Sequence, residues 1–327
     1  MNIRRVSRSI KKRGFLGFVR SLMIDALEFS RKKLDALRDN YTRYRFIDRS
    51  KKKDRLIVVL AGYKSYLWPS TFVRLEKYAP ADADVCVASP GKYSGELEAI
   101  CQKNQWSYLY VSRNSPGVAL NKALQLHAAA DYIYKLDEDI LVGKNFFQSL
   151  YEGYHYAWKK SLLEPGFCAP VLNINGISYI HLLELLSIEE DYKKKFGPLF
   201  VRCGDLPVHA DPEAAYWLWK QSLPFDKTSE IFSSTPVSYT ACNTRFSIGA
   251  ILFRRNFIYS IGGFKSSWSP GVLGVDEDFL CRDCVAFSRP MFIIKNVFAG
   301  HFSFGPQEVF MKDKLSDLSL ADPGAFL

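Results

Sequence analysis

The stretch YIYKLDEDILV, residues 132–142, sets three consecutive acids, Asp137, Glu138 and Asp139, among β-branched, aromatic and leucine side chains. Flanks of that kind mark a buried strand. Carboxylates gathered at the edge of a core lose hydration and repel one another, and a bound cation, commonly Mg²⁺ or Mn²⁺, offsets that cost. Side chains of a strand alternate faces, so Asp137 and Asp139 share one side and Glu138 takes the other. The triplet therefore reads as a D-x-D pair with a bystander; a solvated acidic turn is the plain alternative. Two later features extend the chemistry. GVLGVDEDFLCRD, residues 271–283, carries a second triplet, Asp276, Glu277 and Asp278, opening a helical run that any of the three acids could also cap. NVFAGHFSFG, residues 296–305, ends an apolar strand in His301, either a metal ligand or a core histidine with its hydrogen bonds satisfied.

Residues so far apart need a scaffold that gathers them. RLIVVLAGY (55–63) reads as a buried strand entering a Gly-containing loop, followed by strands at 84–91 and 107–112 and the strand that opens at 132. Between them lie helical segments at 70–79, 94–104 and 117–129. Strands alternating with helices at this spacing argue for βαβ units and a mostly parallel sheet covered on both faces. Ligands of such sheets bind beyond the carboxyl ends of the strands, and AGYKS, SPGKYS and DED are three of those ends. The second half is less regular. FCAPVLNINGI (167–177) reads as strand and loop, residues 182–200 as helical, and DPEAAYWLWKQSL (211–223) as a short helix with an acidic start. Trp217 and Trp219 within it read as core, with stacking on a sugar ring as the alternative. Residues 246–268 hold a strand, a short helix and an IGGF turn.

The 327 residues are 48% hydrophobic and 15% aromatic, ample for a core and incompatible with a disordered chain. The net charge of +10 resembles a nucleic-acid signal until it is located: residues 1–55 hold 18 of the 44 basic and 6 of the 34 acidic residues. The remainder carries 26 basic and 28 acidic residues, so the body is not a nucleic-acid binder. The basicity belongs to an N-terminal arm, residues 1–54, in which Phe15, Phe18, Val19, Leu22, Met23, Ala26, Leu27 and Phe29 form a helical apolar stripe. Arg20 and Asp25 interrupt that stripe and no small-residue cleavage site follows, which argues against a signal peptide or a spanning helix. A basic amphipathic helix of this kind suits an anionic membrane surface, engaged through residues 1–50, or else docks against protein. Seven dispersed cysteines fit a reducing compartment, so the expected location is cytoplasmic, peripheral on the inner face of the plasma membrane. The CxxC of Cys281 and Cys284 stands alone and reads as structural.

A Gly-containing first loop, an Asn and Lys helix after SPG, a D-x-D at a strand end, GGF, an E-D helix and a late His, in that order over 55–305, resemble nucleotide-sugar glycosyltransferases of the GT-A fold, most nearly the family 2 type. The resemblance implies an α/β, Rossmann-like, mostly parallel sheet flanked by helices. It implies a domain over 55–310, with a nucleotide-sugar half (55–142) and an acceptor half (143–310), then a tail (311–327). It also implies sugar transfer from a nucleotide-diphosphate donor to a glycan or glycolipid acceptor, in bacterial surface polysaccharide, lipopolysaccharide core or capsule synthesis. Asp137, Asp139 and His301 would serve Mn²⁺ or Mg²⁺, with Asp137 also facing the diphosphate. Asp278 would be the general base of a direct, inverting displacement, with Glu277 in reserve and Asp276 as the alternative base. Ala61, Gly62, Tyr63, Ser89, Gly117, Asn121 and Lys122 would line the nucleotide pocket. A sugar nucleotidyltransferase shares much of this logic, but LAGYKSYLWPS lacks the repeated glycines and arginine of a triphosphate cradle. A non-catalytic membrane-surface protein would explain the arm but not the acids and His301.

Overall fold

The computed structural model describes residues 41–266 and 274–326 continuously, with helical positions scattered between 15 and 30. Most of the expected amphipathic arm lies outside the described residues; Phe15, Leu22 and Met23 within it are helical and exposed. Residues 1–43 and 44–327 form separate compact units.

Among the described residues the larger unit is built on ten strands, β1 (Tyr44–Ile47), β2 (Arg55–Leu60), β3 (Ala83–Pro90), β4 (Ser107–Val111), β5 (Tyr132–Asp137), β6 (Ile140–Val142), β7 (Phe167–Leu172), β8 (Tyr239–Cys242), β9 (Ala250–Arg254) and β10 (Met291–His301). They hydrogen-bond in the order β1-β4-β3-β2-β5-β9-β7-β10-β6, with β8 beside β10. The block β4-β3-β2-β5 is parallel, as the alternating pattern requires. Its strands are apolar on both faces because the helices Trp68–Tyr78, Gly95–Lys103 and Pro116–Leu126 supply the crossovers. Two of these helices start where Ser94 and Ser115 accept the backbone N–H groups of Leu97 and Val118. Beyond β5 the pairing becomes mixed: β9 runs antiparallel to β5, β7 parallel to β10, and β6 antiparallel to β10.

Both expected domain limits shift. Residues 44–54, counted with the arm, belong to the sheet: β1 pairs antiparallel with β4, and the backbone N–H groups of Lys51 and Lys53 donate to the Asp84 carboxylate at 2.8 and 3.0 Å. The dense charge of this stretch masks a short edge strand whose Phe46 packs edge-on to His127. Residues 311–326 are likewise not a loose tail. They fold as the end of the helix Glu308–Asp313 and the helix Leu315–Ala321, and Met311, Leu318, Ala325 and Phe326 are buried in the core. Among the described residues no helix is long and apolar enough to cross a membrane.

Candidate active site

The two distant ends of the chemistry meet because β10 pairs with β6, which begins one residue beyond the first acidic triplet. The register sets His301 opposite Ile140, and the Phe302 N–H donates to the Asp139 carbonyl at 3.0 Å. That edge is buttressed from behind by Trp219, whose Nε1 donates to the carbonyls of His301 and Phe302, both at 3.0 Å. Gly300 permits the approach, since a Cβ there would stand 2.3 Å from the indole. Trp219 is therefore core, as its spacing indicates, and Trp217 packs inward on Tyr192 and Phe196.

Asp139 and His301 are 3% and 5% exposed, and Asp139 Oδ2 lies 3.5 Å from His301 Nε2. The other imidazole nitrogen, Nδ1, is 2.8 Å from the Ile174 carbonyl, which can only accept, so Nδ1 carries a hydrogen and Nε2 is the nitrogen left to face Asp139. Lys64 donates to the same Asp139 oxygen at 2.5 Å. Burial alone would raise the Asp139 carboxyl, but Lys64 and then His301 outweigh it and hold it well below the ordinary carboxylate range. Asp137, its side chain 37% exposed, accepts from Lys135 at 2.7 Å. Its carboxyl is pushed up by burial first, against Lys135, with the Asp139 charge adding to the rise. Among the described residues no three His, Cys, Asp or Glu side chains form a ready-made metal cage. Of the three residues expected to serve a metal, Asp139 and His301 face each other and Asp137 is turned to Lys135.

Glu138 proves more than a bystander. From the turn between β5 and β6 its carboxylate accepts the N–H groups of Gly62 and Tyr63, each at 2.9 Å, and Trp68 Nε1 at 2.6 Å. It thereby fastens the first loop to the acidic strand end. Ala61 and Tyr63 line the cleft, and Tyr63, 53% exposed, is held by a 2.9 Å hydrogen bond from its hydroxyl to the Pro90 carbonyl. Ser89 turns inward and donates to the Lys92 carbonyl, leaving Pro90 at the cleft wall. Gly117, Asn121 and Lys122 are not part of the cleft lining, contrary to expectation. Asn121 clamps the GGF turn: Nδ2 donates to the Phe264 carbonyl at 2.9 Å and Oδ1 accepts the Phe264 N–H at 2.8 Å. Gly263, with φ +81°, is the residue that lets the turn pass, since a Cβ would come 2.8 Å from Asn121 Oδ1. Gly117 packs against the Lys265 carbonyl, and Lys122 lies over the Tyr44 ring and donates to Gln125. The helix motif serves docking because its polar face meets the turn and β1.

The second triplet opens the helix Val275–Ala286, and its three acids part ways. Asp276 is 9% exposed and lines the cleft, where burial pushes its carboxyl up against the opposing charge of Lys135. Glu277 also reaches the cleft but is committed to Arg245 Nε at 2.6 Å and the Ile248 N–H at 3.3 Å. Asp278, expected as the base, does not line the cleft; its side chain is 46% exposed and 3.9 Å from Arg282. Successive helical residues turn by about 100°, so the docking of the helix selects Asp276. Lower on the same helix, Cys281 and Cys284 are free and buried, the Cys281 thiol pushed up to about 12, as inert core thiols should be.

These groups surround a cleft of about 530 Å³ beyond the ends of β2, β5 and β10. A larger depression of about 680 Å³, lined by Lys77, Lys144, Asp226 and Glu230 among others, gathers no comparable acid and imidazole set. Sequence reasoning missed Lys64 and Lys135. Lys135 was within reach, because residues 135 and 137 share a face of β5; Lys64 carries no local signal beyond its place in AGYKS.

No protein-family model matches the chain, and no curated protein matches it in sequence. Solved structures are similar to it in fold at low identity, two of them as follows. One is a crystal structure of GalNAc-T7 with UDP, GalNAc and Mn²⁺, at 12% identity and TM-score 0.48, over 77% of this chain and 44% of that chain. The chain thus spans less than half the length of that protein. The other is the mannosyltransferase PcManGT from Pyrobaculum calidifontis in complex with GDP-Man and Mn²⁺, at 13% identity and TM-score 0.44, over 93% of this chain and 77% of that chain. No residue role is carried across from either.

Proposed function

We propose that the protein is a metal-dependent, GT-A-type glycosyltransferase that moves a sugar from a nucleotide-diphosphate donor to a glycan acceptor. The observation that carries the reading is the convergence of Asp139 Oδ2 and His301 Nε2, 3.5 Å apart, in one cleft with Asp276. With Nδ1 spent on the Ile174 carbonyl, a carboxylate oxygen and the imidazole Nε2 face each other, a donor set that suits Mn²⁺ or Mg²⁺. Two protein ligands are enough where diphosphate oxygens and water supply the rest. When bound, the cation neutralises the charge that grows on the diphosphate leaving group. Tyr63 offers an exposed ring at the cleft mouth for a nucleobase. Lys135 holds Asp137 in place from below. Asp276, a buried cleft carboxylate with, among the described residues, no hydrogen-bonded ion-pair partner such as Lys135 gives Asp137 and Arg245 gives Glu277, takes the proton of the attacking acceptor hydroxyl, and direct displacement of this kind inverts the anomeric centre.

The test is thermal unfolding of the full chain with UDP or GDP and their sugars, with and without Mn²⁺. Stabilisation by a nucleoside diphosphate only in the presence of the metal is expected; indifference to every donor and metal would sink the assignment. The acceptor is assigned to bacterial surface glycans, in lipopolysaccharide core or capsule synthesis, worked on from the cytoplasmic face. The basic amphipathic composition of residues 1–50 supports that placement. Removal of residues 1–40 is expected to abolish sedimentation with anionic vesicles while leaving sugar transfer in solution. Unchanged sedimentation would refute the anchor.

A further inference from the structure

Lys64 stands where the proposed cation must come. Its Nζ lies 2.5 Å from Asp139 Oδ2, the oxygen that also faces His301, and 3.3 Å from the Ser303 carbonyl. The ammonium and a divalent ion therefore compete for one carboxylate oxygen. The backbone just before Lys64 is pinned, because Glu138 holds the Gly62 and Tyr63 N–H groups, so movement of Nζ falls to the four-carbon side chain. That side chain is 18% exposed and lines the cleft, so it has somewhere to go.

We propose that Lys64 is a placeholder cation: its ammonium neutralises Asp139 in the protein without donor, yields that oxygen to the divalent metal, and transfers its charge to the incoming diphosphate. The proposal rests on the nucleotide-sugar reading above. It has a thermodynamic consequence. Metal alone must displace an ammonium whose other neighbouring anion is the Glu308 carboxylate at the cleft wall, whereas metal with diphosphate supplies a more highly charged one, so each strengthens the other by the same factor.

The experiment titrates Mn²⁺ into full-length wild type, Lys64→Met and Lys64→Arg, following free Mn²⁺ by electron paramagnetic resonance, with and without UDP or GDP. Lys64→Met is expected to bind Mn²⁺ alone about 10-fold more tightly than wild type and to lose about 10-fold of the coupling between metal and nucleoside diphosphate. Lys64→Arg, which keeps the charge, is expected to stay near wild type, and thermal unfolding of each variant verifies that it is folded. Mn²⁺ affinity unchanged or weakened in folded Lys64→Met would overturn the placeholder role, as would a coupling equal to wild type. Tighter Mn²⁺ binding in Lys64→Met with no nucleoside diphosphate bound by any of the three proteins would uphold the exchange at Asp139 and bring down the nucleotide-sugar reading instead.

Discussion

Asp276→Asn is expected to lower the rate of sugar transfer by about 10²–10⁴-fold while nucleoside diphosphate binding in the presence of Mn²⁺ stays within a few-fold of wild type. Asp278→Asn is expected to transfer at close to the wild-type rate. The contrast follows from where one turn of helix points. Asp276 is 9% exposed and faces the cleft, and burial raises its carboxyl against the pull of Lys135. A raised pKa makes a carboxylate a stronger base, provided it remains ionised at the working pH. The sign of the pH dependence follows: the base form is lost as pH falls through the raised pKa, so activity declines at a higher pH than an ordinary aspartate would give. Asp278 sits beside Arg282 with its side chain 46% exposed, outside the cleft lining. Steady-state kcat and KM for the two variants, together with Mn²⁺-dependent nucleotide binding, decide the matter. An active Asp276→Asn beside an inactive Asp278→Asn would return the base to Asp278.

Asp139→Asn is expected to abolish metal-dependent stabilisation by a nucleoside diphosphate. At a ligand concentration of ~100 times Kd that stabilisation amounts to about 2.7 kcal/mol in wild type, and the variant should show none of it. The amide keeps the shape of the carboxylate but removes the charge that Lys64 now neutralises and the proposed cation requires. His301→Gln tests the other half of the pair, with a smaller loss expected because the carboxylate remains. Melting temperatures with and without Mn²⁺ at matched nucleotide concentration read both variants. Undiminished metal-dependent stabilisation in Asp139→Asn would place the metal elsewhere. The apo variant should itself be less stable, because Lys64 loses the anion that offsets its burial.

Much of this site is written in short-range pattern. The near-continuous apolar runs of β2, β3 and β5, the intervening capped helices and the strand-end position of the first triplet all follow from periodicity and local hydrogen bonding. The expected separation of Asp137 and Asp139 from Glu138 by strand alternation is corrected: β5 ends at Asp137, and Glu138 and Asp139 form the turn before β6. The task of Glu138 was not legible, because it depends on three donors 70 to 76 residues away. The Asn and Lys helix shows the converse failure. Its motif reads as a ligand contact, yet Asn121 is satisfied by the backbone of the GGF turn 143 residues later.

By itself, then, the sequence determined the parallel α/β block, the acidic strand end, and a histidine closing a late strand. Those features depend on dihedral periodicity and burial, which operate over a few residues. Only the tertiary structure decided that His301 meets Asp139, that Asp276 rather than Asp278 enters the cleft, and that Lys64 holds the oxygen a metal would take. Each of these depends on long-range register: β10 aligned on β6, one helix rotated onto the cleft wall, and a loop tied down by Glu138. A one-residue slip of strand pairing or a 100° turn of a helix replaces one side chain with another, and no local pattern records which was chosen.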